Sequence, residues 1–298
     1  MTKYLVQKFL WFRERGFVQI TQKTLVSLFL LGLTVPSYSW TRKNVQKIEK
    51  FYNSKLSPII MIPGSSATEN RFDGLATKLN QYRQGTKHSL LKVKVWNDGR
   101  MTYSGSIDAN DNEPIIVIGF ENNKDGYSNI KKQAKMVNQA FEALQSKYNF
   151  NNFKGLGHSN GGLIYTAFIE NYLGDYDVDL KTLMTIGTPY NFTETNIKNK
   201  SEMLADFIKA REAIPTTLHM YSVAGTITYD SDELVPDASV SAGKYIYQNQ
   251  AETYTEITVT GEDAQHSDLP TNDEVVALIK QHLESQENPG RREQKNSN

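Results

Sequence analysis

The chain has 298 residues, and its 33 basic and 33 acidic side chains balance to a formal charge of zero. A balanced charge gives no overall field to attract nucleic acid or an anionic membrane, so binding partners must be inferred from a local site. The sequence contains no cysteine, which excludes disulfides, thiolate catalysis and cysteine-ligated zinc.

The first forty residues differ from the rest of the chain. Basic residues precede an uncharged apolar run, LVSLFLLGLTV at 25–35, and Pro36 and small residues follow it. This order is typical of a secretory signal, and the run is shorter than the ~20 residues that a membrane-spanning helix needs. We predict a signal peptide or N-terminal membrane anchor over residues 1–40, with a buried helix as the alternative. The expected location is secreted or cell-surface, with membrane or cell-wall association through the N-terminus.

Strands and helices alternate through the predicted domain at residues 41–286. Apolar and alternating runs predict strands at 57–62, 90–96, 101–107, 114–120, 153–157, 180–187, 217–224 and 253–260. Helical spacing predicts helices at 127–148, 161–173, 202–213 and 273–285. The alternation predicts an α/β fold with a mainly parallel sheet, helices on both faces and an antiparallel hairpin near the N-terminus at one edge. The polar residues 287–298 are expected to be disordered.

One short motif between a strand and a helix indicates a nucleophile. Residues 157–161 read Gly-His-Ser-Asn-Gly and match G-x-S-x-G, in which a sharp turn holds the serine hydroxyl clear of the backbone. The pattern alone occurs by chance in about one chain in ten of this length. Because an apolar strand precedes it and an apolar helix follows, we predict Ser159 as the nucleophile, with an ordinary tight turn as the alternative.

A serine nucleophile needs a histidine base that follows it in the chain. His88 precedes the serine, and His158 adjoins it with its side chain directed elsewhere. His219 lies within a strand, where a packed and hydrogen-bonded histidine is expected, and His282 lies on a polar helix face. His266 lies in a loop between the last strand and the last helix. The order of the chain therefore favours His266.

The acid that orients the histidine should follow the penultimate strand. The loop there, GTITYDSDELVPDAS, contains Asp230, Asp232 and Asp237. We favour Asp232, since its Asp-x-x-Val spacing with Val235 is typical of acid loops in small hydrolases, and Asp230 is second. A carboxylate that only caps a turn is the alternative for each.

Acyl transfer also needs backbone N–H donors for the developing oxyanion. One should come from the residue after the nucleophile, Asn160, and the other from the loop that follows an early strand. Ser65, just after Gly64, is the preferred second donor, with Ser66 as the alternative.

Four segments together resemble one known family. They are GHSNGG at 157–162, IGTPYN at 186–191, SDELVPDAS at 231–239 and HSDLPTNDEVVALIKQHL at 266–283. The chain resembles the alpha/beta hydrolases of the DUF915 family, the cell-surface hydrolases of Gram-positive bacteria, over residues 57–283. The resemblance implies an alpha/beta hydrolase sheet and a Ser-Asp-His triad, which would be Ser159, Asp232 and His266 here, in an exported protein.

The sequence departs from the usual pattern of this family at two positions. Pro63-Gly64 stands where His-Gly is usual, but the expected oxyanion donor follows the glycine. Glu233 stands where a glycine usually follows the acid, and because Val235-Pro236 is kept we interpret this as a surface difference.

These observations predict a serine hydrolase that cleaves carboxylic esters of small molecules or lipids through an acyl-enzyme. The alternatives are an acyltransferase or peptidase with the same triad, and a non-catalytic surface binding protein on the same fold. We expect no metal or organic cofactor, because the sequence has neither a phosphate-binding glycine motif nor a histidine cluster with metal-ligand spacing.

Overall fold

The structure is a computed structural model that describes residues 38–81, 83 and 86–285. The chain divides into two compact units between Asn53 and Ser54, and residues 38–52 of the first unit form a helix. The apolar run at 25–35 and the polar tail at 287–298 lie outside the described residues. Within the described ranges, no helix combines the length and the hydropathy needed to cross a bilayer.

In the part of the second unit that the structure describes, eight strands form one sheet in the order β3-β2-β4-β1-β5-β6-β7-β8. The strands are β1 Ile59–Ile62, β2 Leu90–Val95, β3 Met101–Gly105, β4 Ile115–Phe120, β5 Asn152–His158, β6 Asp179–Ile186, β7 His219–Thr226 and β8 Thr253–Thr260. Only the edge pair β2–β3 is antiparallel, and the other pairs are parallel. The predicted parallel sheet with an N-terminal hairpin at its edge is therefore confirmed.

Helices cover both faces of this sheet. They are α1 Asp73–Gln81, α2 Tyr127–Tyr148, α3 Asn160–Asn171, α4 Glu202–Ala210, α5 Asp237–Ser241, α6 Lys244–Tyr247 and α7 Asp273–His282. Alternate residues of β1 point to opposite faces, so Ile60 packs in a core with α2, α3 and α4, whereas Met61 packs with α1 and α7. Two buried layers on either side explain why the central strands are continuous apolar runs.

The sequence did not predict α1, and the reason is its composition. Its nine residues, DGLATKLNQ, bury only Leu75, Ala76 and Leu79. Three apolar positions in a single short polar segment do not establish a helical period. In the second unit, α5 and α6 were also not predicted, because their five and four residues are too short for any periodicity. The helix at 38–52 was not predicted either.

The sheet topology determines where a site can form. Since β1, β4, β5, β6, β7 and β8 run parallel, the loops that follow them gather at one edge. Ligand sites of open α/β sheets lie at this carboxyl edge. All the site residues predicted from the sequence follow one of these strands.

Candidate active site

Ser159 occupies a sharp turn between β5 and α3. Its backbone has φ 55° and ψ −129°, a conformation that is costly for any residue except glycine. Its N–H donates to the carbonyl of Ile186 on the neighbouring strand at 2.8 Å. A side chain at Gly161 would lie 2.0 Å from the carbonyl oxygen of Ile62, so the helix can start this close to β1 only with glycine there. The turn thus presents the Ser159 side chain at the carboxyl edge of the sheet.

Asp232 and His266 form a buried hydrogen-bonded pair. His266 Nδ1 and Asp232 Oδ2 are 2.6 Å apart, and both residues are buried. Asp232 Oδ1 also accepts hydrogen bonds from the N–H groups of Leu234 and Val235, at 3.1 and 2.7 Å. The loop therefore orients the carboxylate, which accounts for the Asp-x-x-Val spacing, and the pair leaves His266 Nε2 as the nitrogen that can accept a proton.

Two residues after β6 connect the serine turn to this pair. Thr188 Oγ1 donates to the carbonyl oxygen of Ser159 at 3.0 Å. A side chain at Gly187, which has φ 56°, would lie 3.0 Å from Asp232 Oδ2 and 3.1 Å from His266 Nδ1. In the described structure no hydrogen bond joins Ser159 Oγ to His266. Such bonds are often loose before substrate binds.

The loop after β1 lies directly against the serine. A side chain at Gly64 would lie 2.7 Å from Ser159 Cβ and 3.2 Å from its Oγ. The N–H of Ser66 donates to the carbonyl of Asn123 at 2.7 Å, so it is already engaged. No backbone carbonyl of the described residues accepts from the N–H of Ser65. The geometry therefore favours Ser65 over Ser66 as a donor to a ligand.

Asn160 is the first residue of α3, and its N–H has no acceptor within the helix. The loop at 121–126, after β4, supports both donor segments. Asn123 accepts from Ser66 and donates through Nδ2 to the carbonyl of Ala67 at 3.1 Å. Asp125 accepts from Asn160 Nδ2 at 2.7 Å. Sequence reasoning missed Asn123 and Asp125, because neither belongs to a motif and both act on residues far away in the chain.

The remaining acids of the Asp232 loop do not contact His266. Asp230 is exposed, and its carboxylate is 3.5 Å from Thr228 Oγ1. Asp237 begins α5, and burial raises the pKa of its carboxyl. Among the three candidates, only Asp232 is both buried and paired with the histidine.

His158 is buried beside His266, with 4.9 Å between the ring centres. Its Nε2 lies 3.0 Å from the carbonyl of His266, so Nε2 carries the donated proton and Nδ1 has no partner among the described residues. Burial, and then the charges of His266 and Arg71, lower the pKa of His158 well below its ordinary value. His158 is therefore neutral, and its hydrogen bond to the carbonyl of His266 supports the His266 loop.

The other histidines lie elsewhere. His219 is exposed, although the sequence suggested a residue packed in a strand. Its Nδ1 is hydrogen-bonded to Thr253 Oγ1 at 3.0 Å. His282 stacks on Tyr221 with 4.2 Å between ring centres. His88 binds Glu284 and the carbonyl of Glu113. Over the described ranges, no group of three or more acidic or histidine side chains is arranged to hold a metal ion.

Comparison with known proteins assigns the family. The profile of a family described as "Alpha/beta hydrolase of unknown function (DUF915)" matches residues 46–286. The chain belongs to the DUF915 family. This membership and the eight-stranded sheet together establish the alpha/beta hydrolase fold and make the protein a hydrolase by superfamily.

Two solved structures are similar to this chain over almost their full length. The putative cell surface hydrolase from Lactobacillus plantarum is 53% identical, and the match covers 77% of this chain and 92% of that one with a TM-score of 0.71. A gene product from Listeria innocua is 28% identical, with 78% and 96% covered and a TM-score of 0.71. No curated protein matches the chain.

Glu233, at one of the positions where the chain departs from the DUF915 pattern, has an unusual backbone. It is exposed, as expected of a surface difference, but its φ is 74°. That region favours glycine, which gives a physical reason for the glycine usual in the family. In this chain the left-handed position is occupied by a residue that fits it less well than glycine.

Proposed function

We propose that this DUF915 protein is a serine hydrolase that cleaves carboxylic esters through an acyl-enzyme. The observation that carries the proposal is the buried contact of 2.6 Å between His266 Nδ1 and Asp232 Oδ2, at the same sheet edge as a serine in a strained turn. A structural role alone would require neither the strained serine nor a histidine whose second nitrogen is left for proton transfer.

Acylation begins when Ser159 Oγ attacks the ester carbonyl and His266 Nε2 takes its proton. Asp232 holds the imidazole in the tautomer that can accept this proton and stabilises the imidazolium that forms. The N–H groups of Ser65 and Asn160 donate to the oxyanion of the tetrahedral intermediate, and preorganised donors of this kind contribute ~3 kcal/mol each. The intermediate collapses as His266 returns the proton to the departing alcohol.

Deacylation repeats these steps with water as the nucleophile. His266 takes a proton from water, the hydroxide attacks the acyl carbonyl, and the same two donors stabilise the second oxyanion. Breakdown releases the carboxylic acid and restores the Ser159 hydroxyl. No step requires a group beyond the residues named.

We place this activity at the cell surface or outside the cell. One support is that basic residues precede an apolar run within residues 1–40, as in a secretory signal. The other is the similarity to a protein described as a putative cell surface hydrolase. An uncleaved N-terminal segment would keep the enzyme at the membrane, and a cleaved one would release it.

A panel of p-nitrophenyl esters with acyl chains of increasing length tests the proposed function. The full chain should hydrolyse at least one ester, and Ser159→Ala should abolish the activity. Asp232→Asn should lower kcat by about 10³–10⁴-fold because the histidine loses its tautomer. Asp230→Asn, two residues away, is the matched control and should change kcat by less than about twofold. Equal hydrolysis by the wild-type protein and Ser159→Ala would refute the proposal.

A further inference from the structure

A large cleft lies at the carboxyl edge of the sheet, on the side of β2 and β4. It has a volume of about 710 Å³. Its walls are the turn between β2 and β3, the loop at 121–126 and the first half of α2, which contribute Trp96, Glu121, Asn129, Lys132 and Lys135. The proposed hydrolytic reaction uses none of these side chains.

The charge of the cleft comes from ammonium groups without a counter-ion. Lys124, Lys132 and Lys135 line it, and no described residue forms an ion pair with any of them. Lys132 and Lys135 are three residues apart on α2, so they project from the same face of the helix. Three neighbouring cations without partners create a local positive potential in a protein whose overall charge is zero.

Each of the two carboxylates at the cleft has a hydrogen-bond partner in the turn between β2 and β3. Asp98 Oδ2 pairs with Arg100 Nε at 2.6 Å, and Asp98 Oδ1 accepts from the N–H of Arg100 at 3.0 Å. Glu121 accepts from the N–H of Asn97 at 2.8 Å. Arg100 neutralises Asp98, whereas the partner of Glu121 is neutral. The three lysines therefore outnumber the one carboxylate at the cleft whose charge is not compensated, and the balance favours an anion.

The distance from the cleft to Ser159 suits a single substrate. Neighbouring strands are about 4.8 Å apart, and β1 alone separates β4 from β5 in the sheet. The end of β4 is therefore about 10 Å from the end of β5, and the end of β2 about 14 Å. A compound of modest size can reach both places at once.

The cleft is also held rigidly to the proposed oxyanion donors. Gln133, which is buried on α2, donates to the carbonyls of Asn122 and Lys124 at 2.6 and 3.1 Å. The same loop continues to Asn123 and Asp125, which hold the segments of Ser66 and Asn160. A group bound in the cleft would thus have a fixed position relative to the serine.

We propose that this cleft binds an anionic group on the substrate, a phosphate or a carboxylate, about 10–14 Å from the ester that Ser159 cleaves. The inference rests on the proposed function, because it names the class of ester that the site takes. Lys132 and Lys135 are the specificity-determining residues, and the anion contributes binding energy that a neutral ester lacks.

Calorimetric titration of the full-length Ser159→Ala protein tests the anion site without any catalysis. The ligands are glycerol, glycerate and glycerol 3-phosphate, a series that differs in its charged group. At least one anion should bind about tenfold more tightly than glycerol at low salt. Whichever of glycerate and glycerol 3-phosphate binds more tightly shows whether the cleft prefers a carboxylate or a phosphate. Lys132→Gln/Lys135→Gln should remove this preference. Lys181→Gln/Lys209→Gln, which makes the same change of charge outside the cleft, should keep it.

Either of two results would overturn the inference. The first is equal affinity for glycerol and for both anions. The second is equal anion affinity in the two double variants, provided that their melting temperatures show both to be folded. A second comparison uses catalysis with an ester long enough to reach both places: kcat/KM for the acetate ester of 6-hydroxyhexyl phosphate should exceed that for the monoacetate of hexane-1,6-diol by about tenfold. The p-nitrophenyl ester panel decides the proposed function, whereas the calorimetry decides the anion site by itself.

Discussion

The fold holds two residues at the site in a conformation or an environment that costs free energy. Ser159 has φ 55°, which costs about 1–3 kcal/mol for a non-glycine residue. His158 is buried without a partner for Nδ1. The fold must supply the free energy to hold both, and strain of this kind concentrates where a protein does chemistry.

Glu233→Gly should stabilise the protein. Glu233 has φ 74° and is exposed, so the substitution relieves a left-handed conformation that costs about 1–2 kcal/mol. The greater freedom of glycine in the unfolded chain offsets about 0.5–1 kcal/mol. We expect a net gain of about 0.5–1 kcal/mol in the free energy of unfolding, measured by urea denaturation with an unchanged slope. Glu233→Ala keeps the Cβ atom and should show no gain; if it is as stable as Glu233→Gly, backbone strain is not the cause.

His158 should make the folded state less stable at acid pH. Because the pKa of His158 is lowered in the fold, the unfolded chain takes up a proton below about pH 6.5 that the folded chain resists. The free energy of unfolding should therefore fall as the pH drops below 6.5, by up to about 1.4 kcal/mol per pH unit from this group.

The measurement is the free energy of unfolding of His158→Gln between pH 7.5 and pH 5. Glutamine can still donate an N–H to the carbonyl of His266 but does not titrate, so the pH dependence should become shallower by about one proton. His219→Gln changes an exposed histidine and should leave the dependence as it is. An unaltered slope in His158→Gln would show that folding does not lower the pKa of His158.

At the scale of elements, α3 is the helix on which the site depends. Ten of its residues are buried, from Asn160 to Ile169, and it contacts β1 through Gly161. Gly161→Ala would place a methyl group against the carbonyl of Ile62, and the helix would have to move. We expect a loss of about 2–3 kcal/mol in stability and a fall in ester hydrolysis, because the serine turn moves with the helix.

Gly174→Ala is the matched control for that change. A side chain at Gly174 would meet no atom within 4 Å, so its stability and activity should match those of the wild-type protein. If Gly161→Ala unfolds at the same urea concentration as Gly174→Ala, the close approach of α3 to β1 does not limit the fold.

Over the whole molecule, the sequence predicted the sheet well because its central strands are continuous apolar runs. The apolar runs alone place β1, β4 and β5 within about two residues of their observed bounds. The preference for Asp232 came from its spacing to Val235, and in the structure that spacing is a direct hydrogen bond. Local chemistry of this kind is visible in a sequence.

Interactions between distant loops could not be predicted. The preference for Ser65 over Ser66 depends on the carbonyl of Asn123, and Asp125 reaches Asn160 across 35 positions of the chain. The cleft between the β2–β3 turn and α2 likewise depends on the tertiary arrangement of lysines that look like an ordinary solvated helix face. These features emerge only when the parallel strands bring their loops to one edge.

The assignment of Ser159 as the nucleophile is tested most directly by its reaction with a fluorophosphonate, which modifies activated serines. We predict a single adduct on Ser159 in the full chain, identified by peptide mass spectrometry. Its rate of formation should fall by several orders of magnitude in His266→Ala, since an unassisted serine reacts poorly. A protein that remains unlabelled, an adduct on another residue, or labelling at the same rate in His266→Ala would contradict the account.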